Sequence, residues 1–598
     1  MTSRTTTADE HEGLLDGEER KVKVDLTRDE EHATSYPPGT FRKAIGAMIG
    51  LGLAIGLTYA VPAPKPVEAA ETAEARESSV AASLAACVTA AAGPEGLGCL
   101  HLVRPWTLAT DPDTGEFLYV PFWNLIGREL LGMGQKAEVA DAEVKEAIAV
   151  AREEAEKAEV EEFKEVEVRA TPVQEDEKVP PLAPHEDDAL PVEVPLERPE
   201  ALDRFYAALT RTQLGLPGAV TRAMHYGDSA IGNDGITGAI RSKLQARFGD
   251  AGHGFHLLGQ PNASYRHQGV RFDERSQWQH CFIIFDCKKD GYYGVGGTTF
   301  ESAGGAEIRL STAQKGPMGR KVARYEVWYA GMPKGGKLRL KLDDQEPVEL
   351  ETAAEQLEDR WHVIETDDGE HTLSVRAAGG GKVRAYGVAM ERTVPGVVYD
   401  EMSQIGALTR RLLNFDPEHL QRQIQRRDPD LLVLMFGGND MNTQGTMEKY
   451  KAEYSAVIQL FRKADPQLPC LVMAPLDHGE RDGSGKIVTR PIVTKLVQAQ
   501  REVAETEGCA FFDTYEAMGG SGSMGRWVRS SPALGAGDLS HLTHHGHKVV
   551  GAMLYRSLMQ GYVDYRKRVA GTPVKALAGA PTGDSRPGEA EAGKDAGH

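Results

Sequence analysis

Residues 220–248 read VTRAMHYGDSAIGNDGITGAIRSKLQARF. The stretch from Val220 to Tyr226 is a short, mainly apolar run that predicts a strand, while Ile236, Ile240, Leu244 and Phe248 recur at helical spacing and predict a helix beginning near Asp234. Between them stands Gly227-Asp228-Ser229. The glycine permits a tight turn, and Ser229 is placed at the end of a strand and the start of a helix, where an exposed nucleophile is wanted. Alone the tripeptide is a weak signal, because a Ser or Asp there also caps an ordinary helix.

Outward from this point the strand–helix alternation continues. Leu431–Phe436, Cys470–Ala474 and Ala510–Phe512 are continuous apolar runs, and Thr446, Tyr450, Tyr454, Val457, Ile458 and Phe461 mark a further helix. Strands without polar alternation, separated by helices, predict a parallel sheet buried on both faces and an α/β fold. Residues 269–396 break the rhythm: Tyr325/Val327/Tyr329, Leu338/Leu340/Leu342 and Leu373/Val375 alternate, with turns at Gly335–Gly336 and Gly379–Gly381. They read as an antiparallel β insert dividing one α/β domain into 201–268 and 397–566. Trp328, Tyr329, Trp361 and Tyr386 in this insert could stack on sugars, although core packing is the commoner role of such aromatics.

The remaining catalytic parts lie far downstream. In Asp538-Leu-Ser-His541 a carboxylate three residues before an imidazole can hold Nδ1–H and leave Nε2 free to take a serine proton. Phe436-Gly-Gly-Asn439-Asp440 follows an apolar run, so the Asn439 amide emerges at the same end of the sheet as Ser229 and can donate to an oxyanion. Gly406 offers a second donor through an unobstructed backbone N–H. A metal cluster of His541, His544, His545 and His547 is the competing reading, but no matching ligand set occurs elsewhere and helix capping also accounts for the later histidines. No metal and no cofactor is expected. Asp477 and His478 read as loop-tip polarity.

The ordered set GDS, Gly406, GGND and DxxH resembles the SGNH (GDSL-type) hydrolases over about 201–566. That resemblance implies a three-layer, flavodoxin-like hydrolase domain with Ser229 as nucleophile, His541 as base, Asp538 as its orienter, and an oxyanion hole of Ser229, Gly406 and Asn439. The runs GDSAIGNDGITGAIRSKLQARFGDAGHGF, HTLSVRAAGGGKVRAYGVAME and FFDTYEAMGGSGSMGRWV are similar to the branch with an inserted jelly-roll, carbohydrate-binding-like domain, which includes peptidoglycan O-acetylesterases. Two positions depart from it: Ala230, where a histidine is common, and Ile405, where an asparagine is frequent.

The rest of the 598 residues concerns placement. Residues 44–61, AIGAMIGLGLAIGLTYAV, carry no charge and would form a helix of about 27 Å, enough to span a bilayer. Arg42 and Lys43 put its N-terminal side in the cytoplasm, so 1–40 read as a disordered cytoplasmic tail, 41–62 as an anchor and the rest as extracytoplasmic, in periplasm or wall. A cleaved signal peptide and a buried core helix are the alternatives to the anchor. Gly46/Gly50 and Gly52/Gly56 have the spacing of a helix-pairing face, hence a helix-mediated dimer. Residues 63–135 read as linker and small subdomain, with Cys87 and Cys99 as either a disulfide or two thiols. Residues 136–200 read as an acidic helix followed by a proline-rich tether, and 567–598 as a disordered tail.

The chain holds 88 acidic against 68 basic residues, a net charge of −20, which excludes a general nucleic-acid binder. Six cysteines are too few for a disulfide scaffold. These readings converge on a membrane-anchored, exported serine esterase removing O-acetyl groups from peptidoglycan or another envelope glycan. A polysaccharide O-acetyltransferase would use the same triad, and a wall-binding scaffold with a vestigial site is the reading from another class. A lipase or thioesterase fits less well, since no extra acyl-binding apolar stretch is visible.

Overall fold

The computed structural model describes residues 107–110, 117–119, 176–183, 192–262, 264–314, 318–443 and 445–577. It divides into Met1–Gly127 and Arg128–His598. In the first unit Thr107–Thr110 and Phe117–Tyr119 pair antiparallel. The expected anchor at 44–61, Cys87, Cys99 and the acidic helix lie outside the described residues. Among the described residues no helix is long and apolar enough to cross a membrane.

The second unit is built on five parallel strands: β1 (Val220–Gly227), β2 (Gly396–Ser403), β3 (Leu431–Met435), β4 (Cys470–Met473) and β5 (Ala510–Phe512). Their order is β2-β1-β3-β4-β5, the doubly wound arrangement in which ligands gather at the C-terminal strand ends. The apolar run at 431–436 shows why alternation is missing. Leu431, Val433 and Met435 enter one core cluster with Phe205, Ile236 and Val549, whereas Leu432, Leu434 and Phe436 enter the other with Ile424, Tyr454 and Val497. Helices α1 (Asp203–Gln213), α2 (Gly235–Phe248) and α6 (His544–Val569) cover the first face; α3 (Pro417–Arg427), α4 (Met447–Arg462) and α5 (Pro491–Thr506) cover the second. Thr446 caps α4 by accepting from the Lys449 N–H, satisfying one of the unpaired N–H groups of a helix start.

The insert is a pair of antiparallel sheets, one of five strands and one of six. It opens before the expected residue 269, because Gly252–Leu257 pairs with Val383–Glu391 of the insert. Its run GHGFHL, with two glycines and two histidines, shows no apolar–polar alternation and is buried throughout, so its pattern does not tell a strand of the central sheet from one shared with the insert. Tyr325, Val327 and Tyr329 point between the two sheets, while Trp328 points into the hydrolase core against Phe255, with ring centroids 5.2 Å apart. Trp328, Tyr329 and Tyr386 are therefore core residues, and half-buried Trp361 packs edge-on against Trp328. Buried ion pairs complete the junction. Arg222 of β1 pairs with Glu391 of the insert, and Arg427 of α3 spans Glu391 and Asp400 of β2.

Two segments read as free chain are docked. Of the proline-rich tether, Val179 and Leu196 are buried in the core, Glu197 exchanges backbone hydrogen bonds with Phe511, and Arg198 donates to the Cys509 carbonyl. The extended backbone that prolines favour lies along the open edge of β5. Of the expected tail, residues 567–577 are described and Val574 and Leu577 are buried. Among the described residues four cysteines form disulfides, Cys281–Cys287 within the insert and Cys470–Cys509 between the starts of β4 and β5.

Candidate active site

β1 ends at Gly227, and residues 228–234 turn before α2 begins at Gly235. Ser229 thus sits on this turn, six residues before the helix rather than at its first turn. Asp234, at the helix cap position with φ 55°, makes no cap bond; its carboxylate instead accepts from Thr237 and Arg241.

The Ser229 Oγ lies 2.8 Å from His541 Nε2, and His541 Nδ1 lies 2.6 Å from Asp538 Oδ2. With Asp538 ionised, Nδ1–H donates to the carboxylate and Nε2 accepts from the serine hydroxyl, the tautomer that proton abstraction requires. The second Asp538 oxygen accepts from the Ser540 and His541 N–H groups, both at 3.0 Å. Between acid and base, Leu539 adopts φ 64°, a left-handed conformation costly for a branched side chain, and is held there by burial in the core. That bend brings both side chains of the DxxH loop to one side.

The electrostatics follow the geometry. The hydrogen bond to Asp538 raises the His541 pKa above 6.5, against the opposing effect of burial. Burial works to raise Asp538, but the hydrogen bonds it accepts from His541 hold it below the usual carboxylate range. The imidazole side chain is 47% exposed, so substrate can reach it.

Asn439 emerges from the loop after β3 and lines the same cavity as Ser229 and His541. Its Nδ2 donates one hydrogen to the Ala407 carbonyl at 3.1 Å, leaving the second available. Gly406 is exposed with φ +86°, a conformation that favours glycine, and does not line the cavity itself. Among the described residues neither its N–H nor that of Ser229 has a hydrogen-bond partner. The loops thus converge through Asn439 and Ala407, with Ser229 and His541 on the cavity wall.

Sequence reading missed what locks these loops together. Asp228 is buried; one carboxylate oxygen accepts from the Ala230 N–H at 3.0 Å and the other from the Gly438 N–H at 3.1 Å, tying the nucleophile turn to the Asn439 loop. Burial raises its pKa. Asp440, also buried, accepts from the Thr409 N–H and hydroxyl, tying the Asn439 loop to the Gly406 loop. Burial pushes it up to about 7. Both residues stand within the quoted motifs, but their partners lie in other blocks of sequence. His478 lines the cavity beside Gly438, and burial drives it down to about 4, so it is neutral. Asp477 turns away and accepts from Ser523 and Met524. His544, His545 and His547 fall in the first turn of α6, and His547 packs against Gly235; among the described residues no group of three metal-binding side chains assembles.

The cavity holds about 160 Å³ and is lined by Ser229, Asn439, Asn442, His478, Arg490 and His541 among others, room for a small acyl group. Residues 369–549 match the model of the GDSL-like lipase/acylhydrolase family. The match contains Gly406, Asn439, Asp538 and His541 and begins downstream of Ser229, which the insert separates from them. No curated protein matches the chain by sequence. A solved structure described as a peptidoglycan O-acetylesterase in action matches with a TM-score of 0.50 at 20% identity, covering 60% of this chain and 95% of that one. A family two carbohydrate esterase from Cellvibrio japonicus matches with a TM-score of 0.21 at 12% identity, covering 50% and 98%. The family match spans the loops of Asn439, Asp538 and His541, and Ser229 is hydrogen-bonded to that histidine, so this region is similar to the GDSL-like lipase/acylhydrolases and the fold resembles that of a peptidoglycan O-acetylesterase.

Proposed function

We propose that the protein is a membrane-tethered, exported carbohydrate esterase that removes O-acetyl groups from peptidoglycan or another envelope polysaccharide. The observation that carries the chemistry is the unbroken relay from Ser229 Oγ through His541 to Asp538 on a small cavity. Ser229 attacks the acetyl carbonyl while His541 Nε2 takes its proton. The tetrahedral oxyanion is held by the N–H groups of Ser229 and Gly406 and the free amide hydrogen of Asn439. His541 then returns the proton to the departing sugar oxygen, and water hydrolyses the acetyl-enzyme by the same route in reverse.

A cavity of about 160 Å³ suits acetyl better than a long acyl chain. The peptidoglycan O-acetylesterase fold likeness supports the glycan substrate. Export is supported by the apolar run at 44–61 and by the two disulfides, which persist in oxidising compartments. The test is acetate release by the detergent-solubilised full chain from O-acetylated peptidoglycan and from 4-nitrophenyl acetate. Release should fall by at least about 10³-fold in Ser229→Ala. Activity surviving that substitution overturns the mechanism, and acetyl transfer to a sugar hydroxyl without net acetate release would replace hydrolysis with transfer.

A further inference from the structure

Arg490 is the cationic side chain of the cavity that the ester chemistry leaves unused. It ends the Gly479–Arg481/Ile487–Thr489 hairpin, immediately before α5, and lines the cavity with Ser229, Asn439 and His541. Its side chain has one hydrogen-bond partner among the described residues, the Asn442 Oδ1 at 3.1 Å, a neutral amide that also lines the cavity. No carboxylate lies within ion-pair distance of it among the described residues, although the chain as a whole is strongly acidic. Some half-buried arginines of the hydrolase domain have carboxylate partners, Arg204 with Asp465 and Arg501 with Glu197 and Asp513, and others such as Arg462 and Arg526 spend their donors on several backbone carbonyls; Arg490 lines the cavity with a single neutral partner. The acid lining the cavity, Asp228, is buried and has both oxygens engaged by backbone N–H groups. The cavity wall therefore presents a guanidinium with open donors and, among the described residues, no carboxylate paired to it.

We infer that Arg490, steadied by Asn442, recognises a carboxylate on the alcohol portion of the ester, so that the substrate is an O-acetylated acidic sugar rather than a neutral one. This rests on the acetyl-ester reading: an acetyl group has no charge to offer, so the anion must be on the sugar. A planar guanidinium matches a carboxylate bidentately and stays charged throughout the working pH range. The carboxylate can be that of a uronic acid ring or that of an ether-linked lactyl group, which present the same two oxygens.

The test compares 4-acetoxybenzoate with 4-acetoxybenzamide, of like shape and differing in charge, on the full chain and on Arg490→Gln and Arg490→Lys. The expected result is a kcat/KM ratio favouring the anion, reduced about 10–100-fold in Arg490→Gln, the scale of a charge-assisted hydrogen bond, and partly restored in Arg490→Lys. Acetate release from O-acetylated polyuronate and from O-acetylated glycan strands freed of peptide, each against acetylated xylan, identifies which acidic sugar is preferred. The same pair of aryl esters is titrated by calorimetry onto Ser229→Ala with and without Arg490→Gln. A binding preference for the anion that vanishes with Arg490→Gln supports the inference even where turnover fails, in which case the esterase reading alone falls. An anion-to-neutral ratio unchanged by Arg490→Gln in both assays overturns it.

Discussion

Replacing Asp538 by asparagine tests the site at the joint where geometry and electrostatics meet. Asp538 Oδ2 is 2.6 Å from His541 Nδ1, and the two side chains are 36% and 47% exposed, so this relay sits at the rim of the cavity rather than in a dry interior. For an imidazolium and a carboxylate with charge centres about 4 Å apart, the attraction is about 4 kcal/mol at an effective dielectric near 20 and about 1 kcal/mol in bulk water. These limits correspond to about 10³-fold and about fivefold in rate. The asparagine adds a second penalty: its amide donates to Nδ1 and forces the ring proton onto Nε2, the tautomer that cannot accept from Ser229. The expected loss in kcat/KM is on the order of 10²–10³, short of the roughly 10⁴ of a fully buried triad carboxylate.

The pH profile gives an independent readout of the same substitution. His541 must be neutral to act as base, and its hydrogen bond to Asp538 raises its pKa, so the acid limb of the wild-type profile lies above about 6.5. Without the carboxylate that limb moves to lower pH. Rates of 4-nitrophenyl acetate hydrolysis from pH 5 to 9 measure both effects. A loss below fivefold together with an unmoved acid limb would refute the assignment of Asp538 as the orienting carboxylate.

The other consequences are briefer. Asn439→Ala removes an oxyanion donor and should lower kcat by about 10²–10³-fold with KM little changed, measured on the same ester; a change confined to KM would make Asn439 a substrate-binding group instead. Arg427→Met leaves the buried Asp400 carboxylate without its cationic partner, while Glu391 keeps Arg222, and should cost about 3–5 kcal/mol in chemical denaturation, because unpaired buried charge is far costlier than a lost surface pair. A cost below about 1 kcal/mol would mean that the junction between insert and hydrolase core does not depend on this network.

Much of the site was legible because each block carries its own local signature. A strand followed by Gly227-Asp228-Ser229, an apolar run followed by Gly438-Asn439, and a carboxylate three residues before His541 can each be read in a window of about ten residues. The two-faced burial of Leu431–Phe436 was legible for the same reason, since a strand covered on both sides has no polar alternation to show. The docked tether was misread because acidity and proline content report chain stiffness and say nothing of whether Val179 and Leu196 find a core to enter.

By itself, then, the sequence determined the α/β class, the interruption by a β domain, and Ser229, Asn439, Asp538 and His541 as candidate site residues, since these depend on short-range pattern and on side-chain chemistry. Tertiary structure alone decided that Asp228 holds the Gly438 backbone 210 residues away, that Gly252–Leu257 belongs with the insert, and that Arg490 lines the Ser229 cavity with no carboxylate partner among the described residues. Each of those facts is a pairing, or a missing pairing, between distant stretches of chain. Which groups meet is set by how the sheet order and the insert fold them together, and no local window of residues contains that information.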